Sequence, residues 1–153
     1  MTDEQQPVTT PDLVDLHSEA TDQSTVVDAL LGLLEDAGRL RDADACRADL
    51  MAREAIGSTV LPGGVAIPHA RTAGVDVPTV AVLRLVAPVA WSAGAGPVDV
   101  VLGLFTPAGD SDGYLKLLAA LTRSVVARLP RDLREAGSAR EAAGMVQRGV
   151  GKR

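Results

Sequence analysis

Leu61-Pro62-Gly63-Gly64-Val65-Ala66-Ile67-Pro68-His69-Ala70 is the stretch from which the fold and its chemistry can be read outward. A glycine-rich turn leads into a short apolar run, Val65–Ile67, that reads as a strand, and the run ends on one of only two histidines in the chain. A strand delivers its terminal side chain to the edge of a sheet, a good place for a nucleophile. His17 sits near the N-terminus in ordinary polar-apolar alternation. Upstream of the turn, Arg53-Glu54 closes an amphipathic stretch and Ser58-Thr59 follows. A guanidinium, two hydroxyls and backbone amides can thus converge beside one imidazole, and these are the groups that a transient phosphoryl group needs.

Around this stretch the pattern alternates between helix and strand. Ser24 is placed to cap a helix through about Ala37, because Val26, Val27, Leu30, Leu31 and Leu34 recur at helical spacing and Gly38 supplies a stop. A second helix starts at Asp42 or Asp44 and ends near Gly57, with Leu50, Met51 and Ile56 inward and Arg53 and Glu54 in its last turn. A cation there suits the helix dipole. Val80–Val86 and Val98–Phe105 are nearly continuous apolar runs, as expected of central strands covered on both faces. Between them, residues 87–97 are rich in Gly, Pro and Ala and read as a connection with room for a short edge strand. Asp112 is placed to cap a long helix to about Leu129, Pro130 to break it, and Ser138-x-x-Glu141 to form a capping box for a last helix. Residues 1–11, polar and carrying Pro7 and Pro11, read as a loose, flexible tail ahead of a single domain over 12–149. The expected fold class is α/β, a layered sandwich with a central mixed, mostly parallel sheet flanked by helices.

Composition narrows the function. A chain of 153 residues with 46% hydrophobic residues suits one domain with a sizeable core. Aromatics make up only 2%, so no stacking platform for bases or sugar rings is available. The net charge is −5 and the basic residues are scattered, which excludes a surface for nucleic acid and favours a basic protein partner. The single cysteine, Cys46, permits no internal disulfide and fits a reducing cytoplasm. It reads as a small core residue of the second helix. The N-terminus shows no secretory signal and no apolar run reaches transmembrane length, so direct membrane insertion is not expected. His17, His69 and Cys46 lack metal-ligand spacing, and Asp110-x-Asp112-Gly113 has its glycine too early for a calcium loop, with Leu121 at the closing position. No phosphate-binding or dinucleotide-binding glycine motif is present.

Arg53-Glu54-x-x-x-Ser58-Thr59, the Gly64-Val65-Ala66-Ile67-Pro68-His69 run, Pro97-Val98 and the helix with Leu115-Lys116-Leu117-Leu118 come in a characteristic order and spacing. In these motifs, from about Leu13 to about Val146, the chain resembles the IIA component of the mannitol/fructose branch of the bacterial phosphotransferase sugar-uptake system. The resemblance implies a cytoplasmic phosphocarrier without a cofactor, working through a covalent phosphohistidine on His69. It implies an HPr-like phosphocarrier as donor and a cysteine of a IIB component as acceptor. Both dock in turn on a shallow, largely apolar patch around His69.

The residues have bland readings beside these. Taken alone, an imidazole after an apolar run is more often a buried, hydrogen-bonded histidine than a nucleophile. Arg53 is either a solvated helix-end arginine or the guanidinium that binds phosphoryl oxygens. Ser58 and Thr59 either donate hydroxyls to those oxygens or cap a turn. Gly63 and Gly64 are either simple turn residues or positions where the missing side chains let backbone amides and a partner come close. Glu54 is expected to orient Arg53. Many members of the family carry a second histidine where this chain has Tyr114, whose hydroxyl donates a hydrogen bond but brings no positive charge. The chain is then either a working carrier with altered rates or a relative turned to sensing and binding.

Overall fold

The computed structural model describes residues 6–151. A 3-10 turn at Pro11–Leu13 leads into β1 (Val14–Ser18), followed by α1 (Gln23–Asp36), α2 (Ala43–Ile56), β2 (Val60–Leu61), β3 (Val65–Ala66) and β4 (His69–Thr72). Then come β5 (Thr79–Ala90), β6 (Pro97–Pro107), α3 (Ser111–Val126), α4 (Leu129–Glu135) and α5 (Ala139–Val150). β5 and β6 form the longest ladder, antiparallel, with Thr79 opposite Phe105 and Arg84 opposite Val100. β1 lies parallel on the far side of β5, while β3 and β4 lie parallel on the far side of β6 and β2 folds back antiparallel on β3. The sheet is mixed, with three of its five pairings parallel.

The two central runs are nearly continuous in apolar residues because helices cover both faces. Ala81, Leu83, Val101 and Phe105 pack with Val27, Leu30 and Leu34 of α1 and Leu50 of α2. On the opposite face Val80, Val82, Leu102 and Leu104 pack with Leu117 and Leu121 of α3, Leu133 of α4 and Val146 of α5. Leu104 and Phe105 are fully buried, one on each face. Each such side chain contributes about 1.5–3 kcal/mol relative to exposure, so the part of β6 that β4 pairs with is firmly held. Cys46 is buried in the α1/α2 layer, as its sequence context suggests. Among the described residues no helix is long and apolar enough to cross a membrane.

Several boundaries differ from the sequence reading. Residues 1–5 of the expected tail lie outside the described residues, but Val8 and Thr9 are buried, and Val8 accepts a hydrogen bond from Val80 N–H at 2.7 Å. Chain from Val8 onward therefore belongs to the packed domain. Asp22, not Ser24, caps α1 by accepting from Thr25 N–H, and the Thr25 hydroxyl closes the box. Asp42, of the two candidates, caps α2. Asp110, not Asp112, caps α3, since its side chain reaches Gly113 N–H. The long helix stops at Val126, and Pro130 opens α4, where its missing N–H falls in a first turn that needs no donor. β5 runs on through residues 87–90 after a register shift between Arg84 and Val89, so the connection is shorter than expected and holds no separate edge strand. Ser138 caps α5 by accepting from Glu141 N–H, but among the described residues the return bond from Ser138 N–H to the Glu141 side chain that would close the expected capping box is not made.

Candidate functional site

β3 and β4 run against β6 with one continuous offset: Ala66 lies opposite Val101 and His69 opposite Leu104. Ile67-Pro68 is thus a two-residue break in what is otherwise a single edge strand. His69 opens β4 rather than ending the preceding run, and strand alternation sets it on the face that Ile67 and Leu104 share with α3. The imidazole is 7% exposed. Its Nδ1 lies 2.7 Å from the Ile67 carbonyl oxygen. A carbonyl only accepts, so Nδ1 carries the proton and donates, and the lone pair is left on Nε2. Burial pushes the imidazole below the ordinary histidine value and the Arg53 charge adds to this, while the Ile67 hydrogen bond and Glu54 oppose it. The net effect favours the neutral ring.

Three elements bring side chains to this imidazole. From the first turns of α3, Tyr114 sets its ring 6.0 Å from the His69 ring at a 40° tilt. Burial raises its phenol, and Arg53 and Arg71 partly offset this. From the last turn of α2, Arg53 donates to the Gly57 carbonyl at 3.0 Å, and its charge acts on both His69 and Tyr114. From β4 itself, Arg71 lies over the Tyr114 ring, 5.6 Å from Cζ to the centroid, and donates to the Ser111 hydroxyl. Ile56 and Leu115, the neighbours of Gly57 and Tyr114, are exposed large apolar residues, as a docking surface requires.

The loop after α2 is organised by Glu54, and not in the expected way. Its carboxylate accepts from Thr59 N–H (3.0 Å), the Thr59 hydroxyl (2.7 Å) and Trp91 Nε1–H (3.1 Å). Among the described residues it makes no hydrogen bond to Arg53, so Glu54 positions Thr59 and Trp91 instead. The single hydroxyl proton of Thr59 is thereby committed, and the residue is buried. Ile67 N–H donates to Thr59 O at 3.0 Å, which lays Ser58-Thr59 alongside Ile67-Pro68. Ser58 is exposed; it shares a 2.8 Å hydrogen bond with Ser92 and accepts from Val60 N–H.

Gly63 and Gly64 do not join this group. Both have positive φ, 98° and 79°, and form the hairpin between β2 and β3. Gly64 O accepts from Asp99 N–H at the start of β6, five residues before His69 on the same edge. At about 3.3 Å per residue that is roughly 16 Å from the imidazole. Their structural partner is Arg134, which reaches Gly63 O and both oxygens of Asp99. The turn reading of the two glycines is the one the geometry supports. Conversely, Arg71 and Trp91 were not among the candidates. Arg71 was legible as the second residue after His69 on the same strand face; the link of Trp91 to Glu54 spans 37 residues and left no local signal. Among the described residues, no group of three His, Cys, Asp or Glu side chains is arranged to hold a metal ion.

The fold and the buried edge histidine, with arginines from α2 and β4 near it, define a small α/β domain with a candidate site at one edge of its sheet. Residues 7–141 match the family described as phosphoenolpyruvate-dependent sugar phosphotransferase system, EIIA 2, and the chain belongs to that family. Its members are components of the phosphotransferase system. The chain is 33% identical over 129 residues to the "PTS system fructose-specific EIIA component" of Haloferax volcanii, spanning 84% of this chain and 82% of that protein. It is 42% identical over 96 residues to the "Nitrogen regulatory protein" of Pseudomonas aeruginosa, spanning 61% of this chain and 60% of the relative. The crystal structure of nitrogen regulatory protein IIA-Ntr from Neisseria meningitidis superposes with a TM-score of 0.80 at 28% identity, covering 91% of this chain and 96% of that one.

Proposed function

We propose that this protein is a cytoplasmic phosphocarrier in which His69 accepts a phosphoryl group from an HPr-like donor and passes it to a cysteine of a IIB partner during sugar uptake. The observation that carries this reading is the Nδ1–H to Ile67 carbonyl bond, which leaves the lone pair of a neutral imidazole on Nε2 near the Arg53 guanidinium. In the first transfer the Nε2 lone pair forms the N–P bond as the donor's P–N bond breaks, and the bonding pair leaves with the donor nitrogen as its lone pair. In the second, a thiolate attacks phosphorus and the pair returns to Nε2. No cofactor takes part. Phosphoryl transfer asks mainly for positioning and for stabilisation of spread negative charge. Arg53 supplies a fork for two phosphoryl oxygens, the Tyr114 hydroxyl and Ser58 supply donors, and Glu54 with Thr59 holds the loop in place. Exposed Ile56 and Leu115 provide apolar contacts for partners that dock in turn.

The test is intact mass after incubation with phosphoenolpyruvate, enzyme I and HPr. Gain of one acid-labile phosphoryl group, abolished in His69→Ala, is expected; a folded protein that gains none overturns the reading. A second reading is favoured by the 42% identity to a nitrogen regulatory protein: the phosphorylation state controls a partner instead of feeding transport. Uptake from HPr without onward transfer to any IIB domain of the same organism favours that reading.

A further inference from the structure

Resting on the reading of His69 as phosphoryl acceptor, we infer that Arg71 is a second cation of the site, whose guanidinium leaves the Ser111 hydroxyl and the Tyr114 ring to bind phosphoryl oxygens on His69. His69 and Arg71 are two residues apart in β4, on one face of the strand, so their Cα atoms are about 7 Å apart. That is within the reach of an arginine side chain. The Tyr114 ring is near both groups, 6.0 Å from the imidazole and 5.6 Å from the guanidinium carbon.

The state of its charge sets Arg71 apart from four other arginines of this protein. Arg41, Arg47, Arg128 and Arg134 are each paired with an aspartate. Arg71 rests only on a neutral hydroxyl and an aromatic face, and among the described residues no carboxylate lies within ion-pair distance. An exposed contact to a hydroxyl is easily exchanged for charge-assisted hydrogen bonds to an anion, which are roughly twice as strong as neutral ones. The phosphoryl group brings close to two negative charges. With its Nδ1 proton kept, the phosphorylated ring balances about one of them and Arg53 about one more, while the Tyr114 phenol, which burial keeps protonated, balances none. Arg71, on the same strand face as His69, adds a guanidinium that can donate to the same oxygens.

The experiment measures phosphoryl uptake on His69 by intact mass for the wild type, Arg71→Gln and Arg71→Lys with two donors. Phospho-HPr must dock, whereas phosphoramidate is a small donor that needs no protein contact; in that reaction Nε2 forms the N–P bond and ammonia leaves. Arg71→Gln is expected to slow uptake about 10- to 100-fold with both donors, with an unchanged melting temperature, and Arg71→Lys to recover most of the rate. Equal rates for Arg71→Gln and wild type overturn the inference and leave the phosphocarrier reading intact. Slowing with phospho-HPr alone also overturns it, and assigns Arg71 to partner docking. Equal slowing in Arg71→Gln and Arg71→Lys overturns it in favour of a structural role. A wild type that takes no phosphoryl group from either donor overturns the reading and the inference together.

Discussion

The two ends of the β3–β4 edge carry the same residue types and use them oppositely. At the hairpin end, Arg134 donates to both oxygens of Asp99 and to the Gly63 carbonyl, and the Asp99 hydrogen bond raises its pKa. Its charge is cancelled where it stands, and it staples the hairpin to β6 and α4. At the other end, roughly 16 Å away by strand rise, Arg53 and Arg71 donate only to neutral oxygens, Gly57 O and Ser111 Oγ. Among the described residues neither forms an ion pair, and His69 feels the Arg53 charge against the opposing Glu54 carboxylate. The glycines mark the stapled end and the imidazole the charged end. A guanidinium near a conspicuous motif is therefore no evidence of function until its counter-charge has been located.

Three measurements sharpen this contrast. The largest effect is expected from Arg53→Gln, which removes a charge aimed at the reacting group: phosphoryl transfer slows by about 100-fold, while stability falls by less than about 1 kcal/mol because the Gly57 contact is exposed. Single-turnover uptake and a urea melt read the two quantities, and unchanged transfer would break the distinction. Arg134→Gln and Gly64→Ala should show the reverse pattern. The first loses a half-exposed pair and a backbone bond, about 1 kcal/mol. The second forces a side chain into a left-handed conformation with its Cβ 3.3 Å from Arg134 Nη2 and Asp99 Oδ1, at a cost of about 1–2 kcal/mol. Neither should alter the uptake rate; slowed uptake would extend the site to the hairpin.

The smallest effect is on pH dependence. His69 in the folded protein titrates below its unfolded value, so between the two values the unfolded chain binds more protons. The stability tied to the neutral imidazole is present above about pH 6.5 and is lost as pH falls through the folded value. His69→Gln should therefore shrink the loss of stability between pH 7 and pH 5 in urea melts, and NMR titration should place His69 below the ordinary histidine value of about 6.5. A His69 value at or above that would contradict the burial and charge that surround it.

Much of the site was visible in the chain because its parts lie in short runs. Arg53 in the last turn of a helix, Ser58-Thr59 in the following loop and His69 after a glycine turn all follow from local spacing, and all lie on the same edge of the sheet. The errors came where a short-range signal was over-read. Gly63 and Gly64 are near His69 in sequence, but an extended strand carries them away from it. Glu54 adjoins Arg53 in sequence, yet neighbouring helical residues point in different directions, and Glu54 turns to Thr59 and Trp91. Ser24 and Asp112 were plausible caps two residues inside the real ones, Asp22 and Asp110, since several capping residues compete at each helix start.

Apolar periodicity, the two buried β-branched runs and the caps determined the layers of this protein by themselves, because helix and strand repeats are local properties of the backbone. The same is true of the family, whose motifs are contiguous. Only the tertiary structure decided which charges remain free. The charge that cancels Arg134, Asp99, lies 35 positions away, and the contact of Arg71 is with Tyr114 on a neighbouring element. The tautomer of His69 was settled in the same way: the break at Ile67-Pro68 turns one carbonyl back toward the ring that follows it, a consequence of how the edge strand meets β6 and not of any residue's own preference.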